Sequence, residues 1–264
     1  MSYKTVQVSI SEGVAKVVLN RPETLNSLNS QVLDELNKAL KDLETDPQVR
    51  CVVITGSGRA FCAGADLGEL RSQYLQGSAT DLGDSLRRRF NPIVERIRRM
   101  EKPVIALVNG AAAGAGLGIA MACDIKIASD RATFVEAFAK VGLVPDSGTS
   151  FFLPRLLGVS KAMELAFTGE GIDASTAEKL GLVNKVVEHD ELEKTGQELA
   201  SKLAAGPTRG IGLSKKAINR ALETGFQEAL QYEAYLQEIA GRTRDHKEGV
   251  VAFFEKRKPT FNGT

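Results

Sequence analysis

Hydrophobic and polar residues alternate in two short runs near the start of the chain, TVQVSI and VAKVVLN. A period of two places one face of a strand against a core and the other toward solvent. The turn-forming segment Ser11-Glu12-Gly13 separates the two runs. The pattern therefore predicts a β-hairpin.

A helical spacing follows in the segment SLNSQVLDELNKALKDLETDP. Asn29 or Ser30 can cap the start of this helix, and Asp46-Pro47 stops it. One helical face carries the apolar residues Val32, Leu33, Leu36, Ala39, Leu40 and Leu43. A second helix is predicted from Ser85 to Met100, where apolar residues recur at intervals of four and three, and Pro92 is expected to kink it or end its first part.

Three short apolar runs, VRCVVITG, PVIALVNG and CDIKIASD, are typical of buried strands. After Asp146 the chain is predicted to be almost wholly helical, with breaks at Gly158, Gly169, Gly181 and Gly206-Pro207. Strands that alternate with helices and then give way to helices predict an α/β core with a helical C-terminal part. We place the division at residue 200, with residues 1–200 forming the core and residues 201–264 the C-terminal helical region.

The segment from Ile105 to Cys123 is long and apolar enough to imitate a membrane span, with Asn109 as its one polar side chain. Most of it is Gly and Ala, however, which gain little from lipid, and Asn109-Gly110 is a turn signal. A buried strand followed by a closely packed helix of small residues is the better interpretation.

Composition narrows the function classes. The net charge is +1, which gives no reason to expect nucleic acid or an anionic membrane as the main partner. Three scattered cysteines suit a reducing compartment rather than a disulfide framework. The first residues lack the features of a secretory leader, so we expect a cytoplasmic protein.

Two glycine-rich turns, GSGRAFCAGADLGEL and NGAAAGAGLGIAMA, each follow a predicted buried strand. Ligands of α/β folds gather at the carboxyl ends of such strands. A dinucleotide site is a weak alternative, because the spacing is G-x-G-x-G and Asp130 comes too early in the sequence. Glycines that serve close helix packing alone are the other alternative.

Several segments resemble the crotonase (enoyl-CoA hydratase/isomerase) superfamily. They are LNRPETLNSL, FCAGADL, KPVIALVNGAAAGAGLGIAMACDIKIASDRATF, AMELAFTGEGIDASTAEKLGLVNKVV and EGVVAFFEKRKPTF, which span essentially the whole chain. The resemblance implies a crotonase fold of repeated ββα units, with a C-terminal helical region that packs in a homotrimer or a dimer of trimers. It implies a coenzyme A thioester as substrate, with no metal and no separate cofactor.

The same resemblance implies an oxyanion hole that holds the thioester carbonyl as it becomes an enolate. Its two donors fall on the backbone N–H groups of Ala65 and Ala115. Because the donors are backbone groups, the side chains at the site only have to be small enough to let the substrate approach. A helix that begins near Ala115 adds its dipole.

In this family, the side chains around the oxyanion hole determine which reaction is catalysed. Hydratases of this family use two glutamates, and the matching positions here are Gly118 and Phe138. Neither can move a proton. Glu136, two residues from Phe138, stays open as a substitute, which keeps a 2-enoyl-CoA hydratase of β-oxidation as the alternative function.

Asp146 is the remaining candidate acid/base. In isolation, Pro145-Asp146-Ser147-Gly148 is good turn and helix-cap chemistry. The segment GLVPDSGTSFFLPRLLG, however, resembles the isomerases of phenylacetate degradation, where an aspartate at this place is the acid/base. We therefore predict an isomerase with Asp146 as its catalytic residue, and burial beside Phe138, Leu143, Val144 and Phe151 should raise its pKa.

The resemblance also implies a set of residues that bind the rest of the substrate. They are Leu25, Ala63, Gly64, Asp66, Leu67, Gly116, Phe138, Phe253 and Lys256. Phe253 and Lys256 would reach the nucleotide end, often across a subunit boundary, and a solvated C-terminal helix is the alternative interpretation. Two further alternatives are RNA binding by the arginines between Arg87 and Arg99, and a non-catalytic coenzyme A binder.

Overall fold

In the computed structural model, which describes residues 3–77 and 81–264, three strands of a main sheet are each followed by a short strand of a second sheet. The strands are β1 (Val6–Ser11), β2 (Val14–Leu19), β3 (Cys51–Gly56), β4 (Ala60–Cys62), β5 (Val104–Val108), β6 (Ala111–Ala113), β7 (Ile125–Ser129), β8 (Thr133–Val135), β9 (Gly171–Asp173) and β10 (Lys185–Val187). The main sheet has the order β1-β2-β3-β5-β7-β10, and the small sheet has the order β4-β6-β8-β9.

The helices are α1 (Ser30–Thr45), α2 (Leu67–Leu75), α3 (Leu82–Ser85), α4 (Asn91–Arg99), α5 (Ala115–Ala122), α6 (Thr149–Leu157), α7 (Val159–Thr168), α8 (Ala174–Lys179), α9 (Leu192–Ala204), α10 (Thr208–Ala221), α11 (Phe226–Gly241) and α12 (Arg244–Phe254). A π-helical turn, Leu86–Phe90, joins α3 to α4. The successions β3-β4-α2 and β5-β6-α5 are two ββα units, so the mixed α/β architecture and its helical C-terminal region are confirmed.

The predicted hairpin forms, since β1 and β2 pair antiparallel from Val6–Leu19 to Ser11–Val14. The other neighbours in the main sheet pair parallel. The central strands are almost entirely buried, with every residue of β3 and β5 inside the core. A strand that is covered on both faces reads as a continuous apolar run, which is why the sequence pattern identified these strands.

Helix α1 matches its prediction closely. The Asn29 side chain accepts a hydrogen bond from the Val32 N–H at 2.9 Å and caps the helix. The buried residues of this helix are Val32, Leu33, Leu36, Ala39, Leu40 and Leu43. Pro92 lies in the first turn of α4, where it begins this helix after the π-helical turn.

The apolar segment from Ile105 to Cys123 folds as β5, β6 and α5, which are an integral part of the core. Within the described ranges, no helix is both long and apolar enough to cross a membrane. Two features of the later chain differ from expectation. The short strands β9 and β10 interrupt what we predicted to be almost wholly helical.

The division predicted at residue 200 falls inside α9. This helix packs on the main sheet, where Ala200 and Ala204 are buried beside Val53 and Leu107. A Cβ on Gly196 would lie 2.4 Å from a methyl carbon of Leu107, so the helix sits directly on the strands. Helix α9 therefore packs on the main sheet on both sides of residue 200, and the division of the chain stays a prediction.

Candidate active site

The two glycine-rich turns contact each other at the ends of β4 and β6, which are neighbours in the small sheet. Gly64 has φ +90°, and a Cβ there would lie 2.8 Å from the Ala113 carbonyl oxygen and 3.5 Å from the Ala115 nitrogen. A Cβ on Gly116 would lie 2.3 Å from the Cys62 carbonyl oxygen. Only glycine allows the turns to approach this closely, and the approach places the Ala115 nitrogen next to Gly64, the residue before Ala65.

The N–H of Ala65 is directed away from its neighbouring segment. Leu28 donates to the Gly64 carbonyl oxygen at 2.8 Å and accepts from the Asp66 N–H at 3.1 Å. In such a parallel bridge, both bonding groups of Leu28 are used and Ala65 points its own N–H to the opposite side. Ala65 is exposed.

Ala115 is the first residue of α5, and it follows Gly114, which has φ +50°. The first N–H groups of a helix lack acceptors inside the helix and carry a partial positive charge. Within the described residues, neither the Ala65 N–H nor the Ala115 N–H donates to a main-chain carbonyl of a turn or loop. The two donors are therefore free to bind an oxygen of a ligand.

A cavity of about 690 Å³ opens beside Ala65. Its wall is mostly apolar and includes Leu28, Leu33, Leu70, Leu82, Leu86, Phe90, Leu143 and Val144. Of the predicted site residues, Ala65, Asp66, Leu67 and Asp146 line this cavity. Six other predicted site residues do not line it, and they are Leu25, Ala63, Gly64, Ala115, Gly116 and Phe138. The structure thus brings the first predicted oxyanion donor and the predicted acid/base to one cavity.

Asp146 does not cap a helix. Helix α6 begins at Thr149, its N-cap is Gly148, and no side chain caps it. The Asp146 carboxylate instead accepts a hydrogen bond from the Ser147 hydroxyl at 2.7 Å. Burial raises the pKa of Asp146, while the Ser147 hydroxyl opposes that rise. The helix-cap interpretation is therefore wrong, and Asp146 is left as a residue of the cavity wall.

An unusual backbone turn aims Asp146. Ser147 has φ +49° and Gly148 has φ +84°, so two successive residues are left-handed. The positive φ of Ser147 costs roughly 1–3 kcal/mol for a non-glycine residue. Ser147 is held there by burial, with 3% of its surface exposed, and its backbone packs against Gly118.

The surroundings of Asp146 are more open than we predicted. Phe138 is 7% exposed, and its ring lies 3.7 Å from the position of a Cβ on Gly114. Leu143 and Val144, which we expected to bury the carboxylate, are 38% and 76% exposed at the cavity edge. Asp146 itself is half-buried as a result.

Glu136 does not line the cavity. It is 1% exposed, and its Oε1 accepts a hydrogen bond from the Thr149 hydroxyl at 2.9 Å. Burial, with a smaller contribution from the charge of Asp146, raises its pKa to about 7. The structure therefore places a second carboxyl behind the Asp146 turn.

Asp66 lines the cavity but has structural partners. Its Oδ2 binds Arg21 at 2.8 Å, and its Oδ1 caps α2 by accepting from the N–H groups of Gly68 and Glu69. Burial would raise its pKa, but the bonds from Arg21 and Glu69 outweigh that effect and hold the pKa low. This carboxylate is ionised and fixed in place.

Phe253 and Lys256 lie apart from the cavity within one chain. Phe253 is 79% exposed on α12 and lines a separate groove with Pro207 and Phe261. Lys256 is exposed just after this helix, with φ +55°.

Cys62 is buried, and burial raises the pKa of its thiol to about 12, in keeping with an inert thiol.

Sequence reasoning missed the contribution of the arginine-rich helix to the cavity. Arg88 and Arg89 line the wall with Leu86 and Phe90. Arg88 also pairs with Asp84, and Arg96 pairs with Glu44, so acidic neighbours balance part of this positive charge. Periodicity identified the apolar stripe of this helix but carried no information on what the stripe faces.

The family of this chain follows from comparison with known proteins. The family model for enoyl-CoA hydratase/isomerase matches residues 9–264. The chain is 46% identical over 254 residues to the 1,2-epoxyphenylacetyl-CoA isomerase of Escherichia coli (strain K12), with 96% of this chain and 97% of that protein covered. It is 41% identical over 251 residues to the short-chain-enoyl-CoA hydratase of Clostridium acetobutylicum, with 93% and 92% covered.

A solved structure shares the fold over its full length. The enoyl-CoA hydratase from Bacillus anthracis superimposes with a TM-score of 0.92 at 34% identity, covering 99% of this chain and 100% of that chain. The chain therefore belongs to the enoyl-CoA hydratase/isomerase family and has its crotonase fold.

Proposed function

We propose that this protein is an acyl-CoA isomerase that works through a thioester enolate with Asp146 as its single acid/base. The observation that carries the proposal is Asp146, which lines the cavity beside Ala65 and is not used as a helix cap. A group that both takes and returns a proton suits isomerisation, because no water has to be added.

In the proposed reaction, the thioester carbonyl oxygen accepts hydrogen bonds from the N–H groups of Ala65 and Ala115. The Asp146 carboxylate removes a proton from the carbon chain, and the electron pair moves onto that carbonyl oxygen. The two donors and the α5 dipole stabilise the resulting enolate. Asp146 then returns its proton at another carbon, which completes a double-bond shift. With an epoxide substrate, the same base would assist opening of the strained ring.

The surrounding residues support this assignment. Gly118 and Phe138 carry no ionisable group, so neither can replace a glutamate of a hydratase. A Cβ on Gly118 would already collide with Ser147, so the place of one glutamate is taken up by the turn that aims Asp146. Because the pKa of Asp146 is raised, it lies nearer to neutral pH than the pKa of a free carboxyl. A base with such a pKa returns its proton to carbon more readily.

The chemistry of the acyl group is also part of the proposal. The apolar wall of the cavity suits a ring or an alkenyl chain, and the E. coli relative is by name an isomerase of epoxyphenylacetyl-CoA. We therefore propose a ring-epoxide or enoyl-CoA substrate of the phenylacetate-catabolism type, handled in the cytoplasm without a separate cofactor. For assembly, we propose a homotrimer or a dimer of trimers, supported by the exposed Phe226, Phe253 and Phe254 of the C-terminal helices.

The second candidate is a 2-enoyl-CoA hydratase that uses Glu136. It is favoured by the buried carboxyl near Phe138 with a pKa of about 7, and by similarity to the Clostridium acetobutylicum hydratase. Against it, Glu136 lies behind the Asp146 turn rather than on the cavity wall.

One preparation can separate the two functions. Hydration of crotonyl-CoA and isomerisation of a 3-enoyl-CoA are measured side by side for the wild type, Asp146→Asn and Glu136→Gln. The isomerase proposal expects slow hydration, and it expects isomerisation that falls by about 10²–10⁴ in Asp146→Asn. Near-normal isomerisation in that variant rejects the proposal. Fast hydration that persists in Asp146→Asn but is lost in Glu136→Gln establishes the hydratase instead.

A further inference from the structure

A buried carboxyl that the proposed mechanism does not use lies behind the catalytic turn. Glu136 precedes the 3₁₀ turn Ala137–Val141 and is 1% exposed. Its Oε1 contacts the Thr149 hydroxyl, but its buried Oε2 has no hydrogen-bond partner within the described residues. A buried carboxylate oxygen without a donor is costly, so this side chain needs a physical explanation.

Thr149 connects this carboxyl to Asp146. The Thr149 hydroxyl oxygen is 2.9 Å from Glu136 Oε1 and 3.0 Å from the main-chain carbonyl oxygen of Asp146. The Thr149 N–H also donates to that carbonyl oxygen at 2.9 Å. Thr149 is fully buried and is the first residue of α6, so it ties the Asp146 turn to the helix.

The single hydroxyl proton of Thr149 cannot satisfy both of its acceptors, which favours a protonated, neutral Glu136. A hydroxyl has one proton to donate, and here two acceptor oxygens lie within reach of it. If Glu136 is ionised, the Thr149 hydroxyl can donate to the carboxylate or to Asp146, but not to both. If Glu136 is protonated, its O–H donates to Thr149, and the Thr149 hydroxyl donates to the Asp146 carbonyl. Both contacts are then satisfied, and no charge is buried.

The charges around Glu136 point the same way. Asp146 is the charged group that contributes to its electrostatic environment, and a second negative charge nearby disfavours ionisation. Burial acts in the same direction and more strongly, so the carboxyl changes its charge close to neutral pH. The hydrogen-bonded chain from Glu136 to Asp146 is therefore complete on the acid side of that range and broken on the alkaline side.

We propose that Glu136 is a positioning residue for Asp146, and that its protonated carboxyl holds the catalytic turn through the Thr149 hydroxyl. This inference rests on the proposed role of Asp146 as the acid/base. It assigns Glu136 no contact with substrate. Ionisation of Glu136 draws the Thr149 hydroxyl away from the Asp146 carbonyl and loosens the turn.

The test is the pH profile of isomerisation between pH 6 and 9, measured as kcat and KM separately. In the wild type, kcat should fall as pH rises through about 7, by roughly 2- to 10-fold, which is the fold-change that corresponds to one hydrogen bond. In Glu136→Gln, whose amide can still donate to Thr149 but cannot ionise, that decline should vanish. Glu198→Gln, an exposed glutamate on α9, is the matched control and should keep the wild-type profile.

Thr149 provides an independent arm. Thr149→Val keeps the shape and the main-chain N–H but removes the hydroxyl, and it should lower kcat with little change in KM. Thr149→Ser returns the hydroxyl and should restore kcat, which a packing defect would not predict.

The outcomes separate this inference from the proposed function. If Asp146→Asn is inactive but the wild type and Glu136→Gln have superimposable profiles, the positioning role is wrong and the isomerase proposal stands. If Asp146→Asn retains turnover, the isomerase proposal fails, and the positioning role fails with it. A loss of about 10² or more in Glu136→Gln at every pH would make Glu136 a catalytic group and also overturn the positioning role.

Discussion

A Cβ atom on Gly118 would lie 2.5 Å from the carbonyl oxygen of Ser147 and 2.8 Å from its Cβ. Real Cβ atoms do not approach other atoms this closely, so Ser147 fills the space that a side chain at residue 118 would need. Gly118 belongs to the buried helix α5, and Ser147 belongs to the strained turn that carries Asp146. The absence of a side chain at residue 118 is therefore a condition for the position of Asp146.

Gly118→Ala should lower both stability and activity. The colliding atoms are the carbonyl oxygen and the Cβ of Ser147, which are fixed by the backbone and cannot move aside as the end of a flexible side chain would. Overpacking of this kind costs about 1–3 kcal/mol, against at most about 1 kcal/mol gained from better helix propensity. Displacement of the turn misplaces Asp146, and we expect kcat to fall at least about tenfold.

Gly225→Ala is the control for this substitution, because a Cβ at residue 225 meets nothing within 4 Å. Urea denaturation and isomerisation kinetics of both variants are the measurements. Wild-type kcat in Gly118→Ala would show that the turn does not depend on this contact. Gly118→Glu should likewise fail to create hydratase activity, because the carboxylate has no room.

Gly64→Ala should damage the proposed oxyanion hole rather than the proposed acid/base. Its φ of +90° is unfavourable for alanine, and the new Cβ would lie 2.8 Å from the Ala113 carbonyl oxygen. Relief of that collision moves Ala65 away from Ala115, so one donor no longer reaches the thioester oxygen. Loss of one such donor costs about 10²–10³ in kcat.

Gly77→Ala is the matched control for Gly64→Ala. Gly77 also has a positive φ, +66°, but a Cβ there contacts nothing within 4 Å. It shares the backbone strain without the collision and should retain wild-type kcat. Equal losses in the two variants would mean that backbone strain, and not the approach of the two turns, sets the activity.

The sequence was most informative where a pattern repeats along one element. The buried face of α1 and the continuous apolar runs of β3, β5 and β7 were predicted because each element shows its own period in consecutive residues. Strands β4, β6 and β8 have three residues each, which is too short for an alternation to be visible. Strands β9 and β10 were missed for the same reason.

The candidate site was predictable only where a resemblance supplied it. Backbone geometry decides the function of the Asp146 turn, and its sequence, Pro-Asp-Ser-Gly, is equally suited to a helix cap. The left-handed Ser147 excludes the cap, and it depends on Gly118, which lies far away in the sequence. The bond between Glu136 and Thr149 also joins residues with no local signature, so no periodicity could have revealed it.

Lys256→Ala tests the nucleotide end of the proposed substrate site. Within one chain Lys256 lies apart from the cavity, so a role in binding requires a neighbouring subunit. We expect KM for the thioester to rise, with kcat at saturation unchanged, because a phosphate contact is equally strong in the ground and transition states. Lys258→Ala, a nearby exposed lysine, is the control. A fall in kcat with an unmoved KM would assign Lys256 another role.

Glu136→Gln should change how stability depends on pH. The folded protein raises the pKa of Glu136 from its ordinary value of 4.5 to about 7, because the side chain is buried and Asp146 is nearby. The unfolded chain therefore releases this proton from about pH 4.5, while the folded protein retains it until about pH 7. The free energy of unfolding therefore falls between about pH 4.5 and pH 7. Above pH 7 it stays lower by a constant amount.

Glutamine cannot ionise, so Glu136→Gln should escape the penalty. Its free energy of unfolding, relative to wild type, should rise between pH 4.5 and 7 and then level off, by up to about 3 kcal/mol. Urea denaturation at fixed protein concentration across pH 4–8 is the measurement, because assembly would make stability depend on concentration. Glu198→Gln should track the wild type throughout. A constant offset between Glu136→Gln and wild type at every pH would mean that folding does not shift the pKa of Glu136, so that its carboxyl is ionised at neutral pH despite its burial.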